Sequence, residues 1–200
     1  NRMNIGRTPF SGGARAAHAQ IADVQFYHQA LTEAQALQLF ENPGTSLSSG
    51  PVETPDTFSW RKDLSGDWAS GSNWTPFRGP PSTNEHTAVF GDIITAKRTV
   101  FTDADVTVKN IQFENANSYV IAGGSTVQLD GGTGTASISV AGSSGTHEFQ
   151  TRVAMLTDTQ VNVATGTTLE FNNRLNLGGN TLTKTGGGDL AINSFLNTGG

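Results

Sequence analysis

The chain has no cysteine, so no disulfide can staple the fold, and thiolate-ligated zinc and thiol catalysis are both excluded. Charge is scarce as well: Asp, Glu, Lys and Arg make up only 14% of the 200 residues. The 12 basic residues are scattered, adjacent only at Arg61-Lys62 and Lys97-Arg98, and the net charge is −5. That balance argues against a nucleic-acid partner, because such binding relies on Lys and Arg neutralising phosphates. No apolar run approaches the roughly 20 residues that a membrane span needs. No signal peptide is visible. The chain opens on Asn1 rather than Met and stops at Gly199-Gly200 within its own pattern, which is the expectation for a piece of a longer protein.

What is abundant is Gly (24 residues), together with Thr, Ser and Asn. A disordered chain of low hydrophobicity usually carries more charge and more Pro. From about Thr99 onward, short alternating segments recur between turn residues: Val106–Val108, Thr126–Leu129, Ser137–Val140, Val161–Val163, Thr168–Phe171, Leu182–Lys184 and Leu190–Ile192. Alternation marks strands with one buried face, and the regular spacing suits a coiled stack of strands. The expected fold is therefore mainly β: a right-handed parallel β-solenoid over 99–200, with coils of about 20 residues. Val, Ile, Leu and Phe should point inward, and Thr, Asn and Gln toward water.

Residues 1–44 read differently. Ile21–Tyr27 has strand character. Leu31–Glu41 reads as a helix, with Thr32 and Gln35 in capping-box positions, Asn42-Pro43-Gly44 as its stop, and Leu37 and Phe40 on its buried face. The stretch IADVQFYHQALTEAQALQLFENPG, preceded by MNIGR, resembles the C-terminal end of laminin-G-like (concanavalin-type) jelly-roll domains, departing from them at Ala22 and His28. The resemblance implies a strand–helix remnant of a jelly roll, too small to bury a sandwich core alone. Residues 45–57 are a linker by composition.

All three tryptophans, Trp60, Trp68 and Trp74, fall within 58–98. The text FSWRKDLSGDWASGSNWTPFRGPPSTNEHTAVFGD resembles the opening module of bacterial secreted proteins that carry autotransporter-associated β-strand repeats. TVFTDADVTVKNIQFENANSYVIAGGSTVQLDGG and NTLTKTGGGDLAI look like the repeats themselves. The resemblance implies a parallel β-helix, a secreted or bacterial cell-surface location, and a Trp-rich N-terminal cap.

Two roles are open to the Trp segment. Indole faces stack on sugar rings, and Arg61, Asp67 and Asn73 could take the hydroxyls, so Trp60, Trp68 and Trp74 with those three residues form a candidate carbohydrate site. Alternatively the rings plug the bare end of the solenoid, which would otherwise expose core and backbone.

The remaining constellations read as structural. Asp103 and Asp105 share one face, and Asp63 and Asp67 flank a turn. Glycosidase chemistry needs two carboxyls at roughly 5–10 Å, and Ca²⁺ needs several oxygens; neither pattern is met by spacing, and Asp130-Gly-Gly-Thr-Gly resembles a Ca²⁺ turn only superficially. His18, His28, His86 and His147 lie far apart without metal-site spacing. The Gly-rich stretches read as turns, and Asn172, Asn173, Asn176 and Asn180 as polar turns or an Asn ladder within the coils.

No catalytic group, metal site or cofactor is expected, with Ca²⁺ a weak exception. The leading expectation is a non-enzymatic extracellular or cell-surface scaffold for adhesion, matrix or display, able to self-associate through its ends. A carbohydrate-binding module of a larger polysaccharide-degrading protein comes second. A polysaccharide hydrolase or lyase comes third, since the chain is sparse in the acids, Arg and Lys it would gather on one face.

Overall fold

The computed structural model describes residues 57–199 apart from Arg78, Ser143 and Ser144, together with Leu31, Leu39 and Phe40. The chain divides into two compact units, Asn1–Glu53 and Thr54–Gly200. The jelly-roll remnant expected over 1–44 and the linker over 45–57 lie almost wholly outside the described residues. Within them Leu39 and Phe40 are helical, but Phe40, expected on a buried face, is 81% exposed. Thr57, assigned to the linker by composition, opens the first strand.

The second unit is a parallel β-solenoid of about five turns. An opening segment carries β1 (Thr57–Trp60), β2 (Gly66–Asp67), a 3-10 turn at Gly71–Asn73, and β3 (Trp74–Thr75). The first coil has β4 (Thr87–Phe90), β5 (Arg98–Phe101) and β6 (Val106–Val108); the second has β7 (Asn110–Phe113), β8 (Tyr119–Ala122) and β9 (Thr126–Leu129). The third has β10 (Ala136–Val140), β11 (Gly145–Phe149) and β12 (Arg152–Met155), and the fourth β13 (Thr159–Val163), β14 (Thr167–Phe171) and β15 (Leu175–Asn176). The fifth has β16 (Leu182–Thr185), β17 (Asp189–Ile192) and β18 (Leu196–Asn197). Corresponding strands stack into three sheets, ordered β1-β4-β7-β10-β13-β16 with β3 beyond β1, β2-β5-β8-β11-β14-β17, and β6-β9-β12-β15-β18. All pairs are parallel except β3, which runs back along β1.

Register turns alternation into columns. Val100, Ile121, Phe149 and Phe171 lie one above the next in the second sheet. Ala88, Ile111, Ile138 and Val161 do so in the first, and Val106, Val127, Val153 and Leu175 in the third. All of these are buried. Apart from Ala88, each such side chain contributes ~1.5–3 kcal/mol by leaving water, and its neighbours above and below are apolar as well.

Coils are longer than sequence spacing alone suggests. Thr87 pairs with Asn110, Asn110 with Ser137, Ser137 with Gln160 and Gln160 with Thr183, a repeat of roughly 23–27 residues within the range of solenoid periods. The excess sits in corner turns. In the corner between β9 and β10, Asp130 accepts the Gly132 N–H at 2.8 Å and the Asn84 amide at 3.3 Å, so its carboxylate ties a turn down. Gly186 takes φ +78° at another corner, where a Cβ would run into the Val163 carbonyl.

Polar groups inside the coils are matched. Thr102, Thr151 and Ser125 form a buried hydroxyl chain, with Thr151 Oγ1 donating to the Ser125 carbonyl at 2.7 Å and Ser125 Oγ to the Thr102 carbonyl at 2.5 Å. Among the described residues no buried side-chain nitrogen or oxygen lacks a partner. Of the asparagines singled out, Asn172, Asn173 and Asn180 lie at corners and Asn176 closes β15; Asn193 donates to Asn172 Oδ1 one coil away at 2.8 Å, and Asn173 to the Gln150 carbonyl at 2.9 Å.

His147 is fully buried, opposite Leu169 and stacked on Phe113 with ring centroids 4.6 Å apart. Its Nδ1 accepts the Tyr119 N–H at 3.2 Å, which leaves Nε2 to donate to the Asn115 carbonyl at 3.1 Å and fixes a neutral ring. Burial pushes its pKa down to about 4, against the smaller opposing pull of the Asn115 carbonyl. An unfolded chain titrates near 6.5. The unfolded state therefore takes the proton first, and stability present above about pH 6.5 is lost as pH falls toward 4, by up to ~3 kcal/mol. Urea midpoints at pH 7.5 and 4.5 should separate widely for the native chain and much less for His147→Leu; equal separations would mean that other groups set the acid limit.

Candidate functional site

The opening segment brings the six sequence-predicted residues together, but as a plug. Trp60 closes β1, Trp68 follows β2, and Trp74 opens β3, the strand folded back on β1. Their exposures are 2%, 0% and 0%. Trp60 meets Trp74 edge-on at 5.3 Å and 88°, and Trp68 meets Trp74 at 5.1 Å and 61°. Edge-to-face contact of this kind is favoured by the ring quadrupoles. Phe90 of the first coil packs against all three, then stacks on Phe113 at 5.2 Å. The aromatic core of the cap thus runs straight into the column below.

Each indole N–H is consumed locally. Trp60 donates to the Lys62 carbonyl at 2.9 Å, Trp68 to the Pro81 carbonyl at 2.9 Å and Trp74 to the Trp68 carbonyl at 2.8 Å. Asn73 is buried and donates to the Asp67 carbonyl at 2.8 Å, bracing the same turn. Stacking on a sugar needs an open face, and none of the three indoles offers one in this arrangement. Asp67 and Arg61 do reach solvent. Arg61 lies over the ring of Phe77 at 4.1 Å, and Phe77 is 66% exposed, so the open aromatic of this segment is a phenylalanine.

Two of the carboxylates singled out by sequence, Asp63 and Asp105, act as ties. Asp63 accepts from Thr95 Oγ1 at 2.6 Å and from the Thr95 N–H at 3.0 Å, and pairs with Arg98 at 2.9 Å. Those Thr95 bonds, then Arg98, hold its carboxyl below the usual range despite some burial. Asp105 accepts the Thr126 N–H at 2.7 Å, and Asp103 is exposed.

A different carboxylate pair escaped the sequence reading. Glu148 and Glu170 face each other in register on β11 and β14. Glu148 accepts from Lys97 at 2.6 Å and Gln150 at 2.9 Å, and Asn172 bridges to Glu170 at 3.0 Å and to Glu148 at 3.4 Å. Burial raises the Glu148 pKa, but the bonds from Lys97, Gln150 and Asn172 outweigh it and leave it lowered. A general acid needs the opposite shift. The repeated Glu-Phe of Glu148-Phe149 and Glu170-Phe171 was the sequence signal: equal neighbours imply equal register. Among the described residues no group of three or more His, Asp or Glu side chains is gathered to hold a metal.

Removing the Trp68 side chain should cost ~3–5 kcal/mol, the range for a buried aromatic replaced by alanine. Intrinsic fluorescence of the native chain should be blue-shifted, resistant to iodide and indifferent to added oligosaccharide. Ready iodide quenching would mean that the cap opens in solution. In comparisons with known proteins, no family model, no curated protein and no solved structure matches the chain.

Proposed function

We propose that the chain is a non-enzymatic scaffold of the extracellular space or bacterial cell surface, serving adhesion, matrix or display. The observation that carries this reading is where the large apolar side chains go. In the first four coils most of them are spent on one continuous inward stack, and the outside is mainly polar, with Ile93, Phe101 and Leu156 as the exposed exceptions among the described residues. The resemblance to secreted proteins with autotransporter-associated β-strand repeats supports the same reading and suggests the location.

Self-association belongs to it. The inward positions of the last coil stay accessible, with Ile192 36% and Leu196 40% exposed. Their strands are the outer members of their sheets, and an edge of that kind can receive another strand. A second copy stacking there would extend the scaffold.

The exposed Phe77, with Arg61 above it, favours a second reading: a carbohydrate-binding module of a larger polysaccharide-degrading protein, resting on one ring rather than on the Trp cluster. The two readings separate in one experiment. The chain is incubated with insoluble cellulose, chitin and neutral β-glucan, with soluble sugar release measured in the same tubes and sedimentation followed over a hundredfold range of concentration. A scaffold leaves the polysaccharides untouched and forms larger species at high concentration, which Ile192→Asp with Leu196→Asp should abolish. Depletion that Phe77→Ala removes would establish the binding module instead, and sugar release would overturn both.

A further inference from the structure

The outward side of the third sheet holds a shallow groove of about 300 Å³, bounded by Thr126, Gln128, Arg152, Ala154, Arg174 and Asn176. Thr126 lies opposite Arg152, and Gln128 opposite Ala154, which in turn faces Asn176. The Val153 N–H donates to the Arg174 carbonyl. Arg152, which opens β12, and Arg174, just before β15, therefore stand side by side on neighbouring coils, with backbones about 4.8 Å apart. Like charges directly opposite across a strand pair are destabilising. Yet neither guanidinium has a carboxylate partner; the Lys and Arg ion pairs among the described residues are Lys97–Glu148 and Arg98–Asp63. Arg152 donates to the Gly124 carbonyl and Arg174 lies 5.4 Å over the ring of Phe195. Those contacts position both arginines without neutralising either.

We propose that this groove binds an acidic polysaccharide. Carboxylates or sulfates on the sugars meet the two guanidinium forks, which suit planar, bidentate recognition of such anions. Thr126, Gln128 and Asn176 serve the hydroxyls, and the short side chain of Ala154 leaves room for the ring between them. The column of arginines follows the solenoid axis, so an extended polymer can meet both while the rest of it continues past the coil. Two cations on a chain of net charge −5 are too few for a nucleic-acid backbone, whose binding scales with the number of phosphates neutralised. The proposal does not depend on the scaffold reading, since an outer sheet face is available whatever the ends of the solenoid do.

The test is affinity electrophoresis of the full chain through gels containing polygalacturonate, dextran sulfate or unmodified dextran. Retardation by at least one acidic polymer and none by dextran is expected. Arg152→Gln and Arg174→Gln should each weaken it about tenfold and the double variant abolish it, while a cooperative thermal melt is retained because both side chains point outward. Lys97→Gln, a charge-matched change elsewhere, should bind like the native chain. No retardation by either acidic polymer, or retardation that survives in the double variant, overturns the proposal. A parallel gel with single-stranded DNA closes the remaining route: an equal shift lost with the same two arginines would reassign the groove to phosphate.

Discussion

The backbone ladder between coils is the interaction on which the rest depends. The strands of each inner coil have their N–H and C=O groups answered by the coils before and after them, so strand pairing continues on all three sides around the axis. Parallel pairing without shift puts equivalent residues directly above one another. A column can then be made of one kind of side chain, as with Phe149 on Phe171, whose rings stack at 5.2 Å and 11°. Burial, stacking and backbone bonding thus reinforce one another at every step, which lets a chain of modest hydrophobicity and no cysteine hold a narrow core.

The same ladder makes the start of the stack a problem. A first coil has no predecessor, and its inner side chains would face water. The chain answers with a strand that turns back on itself and with its three largest side chains, locked by hydrogen bonds to neighbouring carbonyls. Tryptophan is suited to this because its bulk covers a whole coil interior while its N–H can still be satisfied from the turns around it.

Much of this was legible in the residues. Strands such as Val106–Val108 and Thr126–Leu129 announce themselves by alternation, and the glycine turns by composition. Arg152–Met155 and Gly145–Phe149 were harder, because His147 and Met155 occupy inward positions where an aliphatic residue is the usual signal. His147 looked like a stray polar residue, yet its neutral ring replaces a hydrophobe and satisfies two backbone groups at once. The candidate sugar site was legible as a cluster but not as an interior, since composition reports which aromatics are near one another in sequence and not which way their faces turn. Arg152 and Arg174 passed unnoticed for the reason that hid Glu148 and Glu170: partners one coil apart meet only when the register is known.

The corners between the third and first sheets have a wider meaning. Lys109 alone spans the first, Asp130–Thr135 the second, Leu156–Asp158 the third and Leu177–Thr181 the fourth, while the strands on either side keep their pairing. Segment length there is uncoupled from the fold. A lineage could lengthen, shorten or decorate that edge without disturbing a single column of the core, so variation in such a chain would be written along one seam of the molecule and read by whatever meets it there.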